Sequence, residues 1–183
     1  MSGKFVAVVG PSGVGKDSLI GFARARLEAS GQVTFVRRVV TRPACGGSED
    51  HDSMDDAAFA AAEAAGEFAL SWGAHGLRYG LPMALEADLQ AGRAVVANLS
   101  RKMLPMLVER YPDALVVLVT AEREVIAQRL AERGRETAEA IRQRLDRAVE
   151  DGLPVNAVRI DNSGALEAAG MQFVQLLEGL VRA

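Results

Sequence analysis

The chain has 183 residues, 49% of them hydrophobic, and a formal net charge of −3 at pH 7. That length supports one buried core with room for a small inserted lobe, and the slight acidity excludes a dedicated nucleic-acid binder, which presents a basic face. Cys45 is the one cysteine, so no internal disulfide is available; with no signal-peptide pattern at the start and no apolar run near the roughly 20 residues of a membrane helix, a reducing, cytoplasmic setting is expected.

Apolar β-branched runs alternate with helical patterns along the chain. Residues 5–9, FVAVV, read as a buried strand, and Leu19, Ile20, Ala23 and Leu27 follow at helical spacing. A second strand is predicted over 33–40. Residues 41–80 then break the rhythm, mixing turn residues, an alanine-rich helix and short strand-like pieces, as a small inserted lobe would. A helix is predicted over 82–90, with Pro82 at its start and Gly92 just past its end. Strands over 94–99 and 114–119, helices over 122–133 and 137–150 hinged at Gly134, a strand over 157–160 and a helix over 166–181 complete the pattern. This alternation predicts an α/β fold, a parallel sheet flanked by helices.

Between the first strand and first helix lies GPSGVGK, residues 10–16, matching G-x-x-x-x-G-K in the strand–turn–helix context that gives the motif its meaning. Gly10, Pro11, Ser12, Gly13, Val14 and Gly15 form a turn whose backbone N–H groups can converge on phosphate oxygens, the helix start adds its positive end, and Lys16 adds a point charge. A nucleoside triphosphate is the expected ligand, ATP with Mg2+. Asp17 stands where a Ser or Thr hydroxyl usually serves the metal. Two readings stay open: Asp17 is itself a hard oxygen ligand beside Ser18, or it favours the helix N-terminus through the dipole and Ser18 is the useful hydroxyl.

Further along, Arg129 and Arg133 stand at i, i+4 on one helix face, with Ile126 and Leu130 able to face inward, so both guanidinium groups can swing over phosphates; the neighbouring glutamates suit a plain solvated face instead. The motifs GPSGVGKD, TRP, YG and RLAERG followed by RL fall in the order and rough spacing of guanylate-kinase-like enzymes, and the chain resembles that family over nearly its whole length. The resemblance implies a P-loop NTPase core (1–34, 81–124 and 148–183), an acceptor-binding lobe (35–80) and a helical lid (125–147). It also implies catalytic roles for Lys16, Arg129, Arg133 and Arg144, and a place near adenine for Asn162 in RIDNSG, where a plain turn is the alternative.

Departures from the family pattern point to the acceptor. Where guanylate kinases carry carboxylates that read guanine, this chain has Ser71, Asn98 and Ser100; a second acceptor-phosphate arginine falls near Cys45, and an expected tyrosine is absent, with Ser53 nearby. Arg37, Arg38, Arg42, Arg78 and Tyr79 supply donors without a base reader, a set suited to a small sugar bearing two phosphates. The combined motifs closely resemble a branch of the same family acting on ribose 1,5-bisphosphate. This implies phosphoryl transfer from ATP to its anomeric phosphate, with Arg37, Arg42, Ser71, Arg78, Tyr79 and Ser100 binding that substrate. A nucleoside monophosphate kinase with an altered pocket and a non-catalytic guanylate-kinase-like interaction module are the alternatives. Modules of the latter kind can lose the loop lysine and lid arginines that are present here. No nucleic-acid or membrane partner is expected, and a homodimer is compatible with the sequence. His51 and His75 lack the company of a transition-metal site; His51 is near enough to the lobe motifs to touch the acceptor.

Overall fold

The fold is described from a computed structural model covering residues 3–42, 51–74, 76–132 and 157–182. Five parallel strands, β1 (Phe5–Val9), β2 (Val33–Phe35), β7 (Ala94–Asn98), β8 (Leu115–Thr120) and β9 (Val158–Asp161), lie in the order β2-β7-β1-β8-β9. All five residues of β1 are buried. Period-2 alternation sorts them: Val6 and Val8 join one core with the helices α1 (Lys16–Leu27), α5 (Arg123–Glu132) and α6 (Leu166–Arg182), while Phe5, Ala7 and Val9 join the other with α3 (Leu85–Gln90) and α4 (Leu104–Arg110). The sheet is thus covered on both faces, as its unbroken apolar strands require.

A second, four-stranded sheet is built by β3 (Arg38–Val40), β4 (His51–Ser53), β5 (Phe68–Ala74) and β6 (Leu77–Pro82) in the order β4-β3-β6-β5. The helix α2 (Asp56–Ala64) precedes β5, its first turn capped by the Asp55 carboxylate, which accepts from Ala58 N at 2.7 Å. Leu70, Leu81 and Trp72 from this sheet pack into the core shared with α3 and α4, so the two sheets meet through apolar contact.

Three sequence expectations change. The strand over 33–40 is two strands in two sheets: Val36 N still donates to Val96 O at 2.9 Å, but after exposed Arg37 the chain leaves the core and Val39 pairs with Gly80. Flanking valines mask that break. The helix expected from 82 begins at Leu85, because Pro82 ends β6 opposite the register irregularity between Phe68 and Leu70, a place where a sheet tolerates proline. And α4 had no counterpart in the sequence reading; it is a seven-residue helix entered through the 3-10 turn Arg101–Met103, with a proline in its first turn.

The helix that carries the phosphate-binding motif leans on α6. There Gly170 faces the Phe22 ring so closely that a Cβ would drive into it, whereas Gly179 in the same helix faces open space. Gly170→Ala is therefore expected to lower stability by about 1–3 kcal/mol through overpacking, and Gly179→Ala to raise it by up to about 1 kcal/mol through helix propensity. Urea midpoints of the two variants should move in opposite directions.

Candidate active site

Residues 10–16 leave the C-terminal end of β1, the central strand, and turn into α1. Gly13 and Gly15 hold positive φ of 86° and 96°, and both are packed from outside. A Cβ at Gly13 would come within 2.8 Å of Leu130 Cγ, and one at Gly15 would fall on Asn162 Nδ2. Ile126 and Leu130 are buried, as their spacing predicts, and the structure adds that they pack against the loop at Gly13. Val14 is fully buried. Its carbonyl accepts from Asn162 Nδ2 at 2.8 Å and from Arg129 Nη1 at 3.3 Å. Lys16 folds back across the turn, Nζ donating to Gly10 O at 2.9 Å and Pro11 O at 3.1 Å. A loop with paired glycines in left-handed conformation, a half-buried lysine at its mouth and a helix start behind it fits the phosphates of a nucleotide.

The role of Asp17 gains a geometric setting. Asn98, the last residue of β7 and 8% exposed, donates Nδ2 to Asp17 Oδ1 at 2.6 Å, across 81 residues of sequence. One carboxylate oxygen is thereby fixed. The pair gives the loop a hard oxygen donor with a defined orientation, of the chemical kind that would suit a magnesium ion. Ser18 is exposed one residue further on. Ser100 does not join this pair: its hydroxyl caps the short turn after β7, accepting from Lys102 N at 3.4 Å.

Asn162 is 2% exposed. Its side chain lies against the phosphate loop, and its backbone N donates to Thr120 O at 2.8 Å at the end of β8. The next residue is tied as well, since Glu122 N donates to Ser163 Oγ at 2.9 Å and Ser163 N to Asp161 Oδ1 at 3.0 Å. Arg129 is brought to the loop by α5. Arg133, Arg135 and Arg144, with the segment from 133 to 156, lie outside the described residues, as do 43–50 with Cys45, and His75.

The second sheet gathers the other predicted donors, though on two faces. Trp72 and Tyr79 are directly opposed and stacked, centroids 5.4 Å apart at 9°, and the Arg38 guanidinium lies 5.7 Å from the Tyr79 ring. Ser71 and Arg78, at alternate positions, turn to the face covered by α2. There a residue that the sequence reading missed receives them: Glu63 accepts from Ser71 Oγ at 2.6 Å and pairs with Arg78, whose guanidinium also lies 4.7 Å from the Phe59 ring. At the other edge Arg37 donates to His51 O at 3.3 Å and pairs with Asp52 at 3.0 Å, and Arg42 Nη2 approaches His51 Nδ1 at 3.5 Å. His51 is buried at 9% exposure, within this arginine group.

No protein-family model matches the chain. Among curated proteins it is 51% identical over 177 residues to "Ribose 1,5-bisphosphate phosphokinase PhnN" of Chelativorans sp. (strain BNC1), covering 96% of this chain and 85% of that one. The protein of the same name from Brucella melitensis biotype 2 is 49% identical, with 96% and 92% covered. A "Bifunctional ribose 1,5-bisphosphokinase-thymidine phosphorylase" of Cupriavidus necator is 46% identical over 96% of this chain but only 29% of its own length. Among solved structures, a guanylate kinase from Anaplasma phagocytophilum superposes with a TM-score of 0.69 at 16% identity over 97% of this chain and 86% of that one. A gluconokinase from Sinorhizobium meliloti 1021 gives 0.54 at 19%, with 99% and 94% covered. These likenesses establish the P-loop NTPase fold.

Glu63 is exposed on its helix yet ties two strands together. Glu63→Ala is expected to cost no more than about 1 kcal/mol of stability, the scale of a solvent-screened ion pair, while releasing the Arg78 charge. Binding of a bisphosphorylated sugar should then tighten in low salt, and an unchanged dissociation constant would show that Arg78 lies out of reach of the acceptor.

Proposed function

The chain belongs to the ribose 1,5-bisphosphate phosphokinase family, and from that membership we propose that it transfers the γ-phosphoryl group of ATP to the anomeric phosphate of ribose 1,5-bisphosphate, giving ADP and 5-phospho-α-D-ribose 1-diphosphate. The observation that carries this reading is 51% identity to a kinase of that name over 96% of the chain. The reaction forms a bond from an oxygen of the sugar's C1 phosphate to the γ phosphorus and breaks the bond from that phosphorus to the β–γ bridging oxygen, which leaves with ADP. The nucleophile is already ionised, so no carboxylate is required to take a proton.

Gly10, Pro11, Ser12, Gly13, Val14 and Gly15 hold the ATP phosphates through backbone N–H groups. Lys16 exchanges the carbonyls of Gly10 and Pro11 for phosphate oxygens, and Arg129 exchanges that of Val14 in the same way; Arg133 and Arg144 are assigned to the same task from the family resemblance. These cations offset the repulsion between donor and acceptor phosphates. A magnesium ion bound here would supply charge neutralisation for the transferred phosphoryl group. Asp17, oriented by Asn98, and Ser18 are the residues that would hold it. Asn162 is assigned to the nucleotide side of the site. Arg37, Arg42 and Tyr79 are assigned as donors to the acceptor phosphates and Ser100 to its polar surround; Ser71 and Arg78, on the opposite face of the second sheet and held by Glu63, would serve the acceptor only once that pairing opens. No helix among the described residues is long and apolar enough to cross a membrane. The proposed partners are small phosphorylated substrates, and a cytoplasmic setting and a possible homodimer belong to the same proposal.

Lys16→Ala should keep the fold and lose about a hundredfold or more in turnover, the scale seen when one positioned donor is removed from a transition state; near-normal turnover in a folded variant would contradict the loop assignment. Offered in parallel with ATP and magnesium, ribose 1,5-bisphosphate should far outrank GMP in coupled ADP release, because neutral Ser71, Asn98 and Ser100 leave guanine N–H groups unmatched. Asp17→Ala should raise the magnesium concentration needed for half-maximal activity, with Asp17→Asn intermediate. A purely helix-end role predicts instead an unshifted magnesium curve and a stability loss of about 0.3–1 kcal/mol.

A further inference from the structure

We propose that Asn162 is a positioning residue for the nucleotide phosphates: its buried amide fixes the Val14 carbonyl outward and so turns the Gly15 N–H into the phosphate cradle. The inference rests on reading residues 10–16 as the phosphate loop, and goes beyond it by assigning the device that sets the loop's shape.

In a trans peptide the carbonyl of one residue and the N–H of the next point in opposite directions. A donor that grips Val14 O therefore dictates where Gly15 N–H aims. Asn162 Nδ2 grips it at 2.8 Å from a residue only 2% exposed. The Val14 side chain is fully buried and anchors the residue in the core, which leaves the hydrogen bond to Val14 O to set the direction of the peptide that follows. Gly15 has φ 96°, and a Cβ there would occupy the position of the Asn162 amide, so glycine and asparagine are fitted to each other.

The amide orientation is set by chemistry, since the reverse assignment would place Asn162 Oδ1 against another acceptor. Oδ1 is buried with no hydrogen-bond partner among the described residues, and the donor half of the amide is what contacts the loop. Asn162 is in turn held by its own N–H on Thr120 O at 2.8 Å. Arg129 Nη1 shares Val14 O at 3.3 Å. Because Arg129 is a long, half-buried cation with a second task at the phosphates, Asn162 is the donor that stays when Arg129 turns away.

An adenine contact, the role that the family resemblance implies for this residue, makes a different forecast, and inorganic tripolyphosphate separates the two because it has no base. By calorimetry, Asn162→Ala should weaken tripolyphosphate and ATP by the same factor, about tenfold or more, the loss of one hydrogen bond to a charged group. Asn162→Asp, which sets an acceptor against Val14 O in the same volume, should weaken both further. In the wild-type protein the Gly15 amide proton should shift strongly downfield in NMR spectra when tripolyphosphate is added, a measurement that needs no variant to fold. An unmoved Gly15 amide, or variants that lose ATP affinity while tripolyphosphate affinity stays intact, would overturn the inference. No sugar acceptor enters these experiments, so their outcome is independent of the assigned acceptor.

Discussion

The glycine loop after β1 is shaped by the hydrogen bonds that hold its carbonyls outward. A loop that binds a polyanion turns its N–H groups inward and therefore presents its carbonyls outward, where they need donors of their own once buried. The donors here come from places far apart in sequence: Lys16 serves Gly10 and Pro11, while Asn162 and Arg129 serve Val14. The strand order explains how they meet. With β1 between β7 and β8, and β9 beyond β8, the segments leaving the C-terminal ends of parallel strands converge above β1, where ligands of open α/β sheets bind.

Charge around this loop is arranged by hydrogen bonds as much as by ion pairs. Asp17 next to Lys16 adds a negative charge where a polyanion is to sit, and Asn98 directs that charge by occupying one carboxylate oxygen. In the second sheet the cations are partly matched: Arg78 to Glu63 and Arg37 to Asp52. These pairs are solvent-accessible, so each contributes little to stability. Their effect is to keep guanidinium groups in fixed places.

Much of the fold was legible because local rules and tertiary demand agreed. The unbroken apolar strands announced a sheet covered on both sides, the glycine turn announced the phosphate loop, and the spacing of Ile126 and Leu130 showed which face of α5 would turn inward. What remained hidden required knowledge across the chain. The switch between sheets after Val36 left no mark, since valines flank it on both sides. Asn98 and Asp17 each stood out as unusual, yet their hydrogen bond spans 81 residues. Glu63 read as an ordinary surface acid in an alanine-rich helix, because nothing local says which strand lies opposite. Asn162 sat in a turn whose composition suits a turn; only the packing against Gly15 gives it a further place in the site.

The stacked pair Trp72 and Tyr79 has an optical consequence. The chain holds one tryptophan, so its indole emission comes from a single known position, half-buried on β5 and parallel to a phenol ring 5.4 Å away. Emission from such a group follows local polarity and the proximity of a quenching neighbour. The second sheet thus carries a native fluorophore whose signal is undiluted by any other indole, and a change in the surroundings of Trp72 and Tyr79 can be followed there without a label.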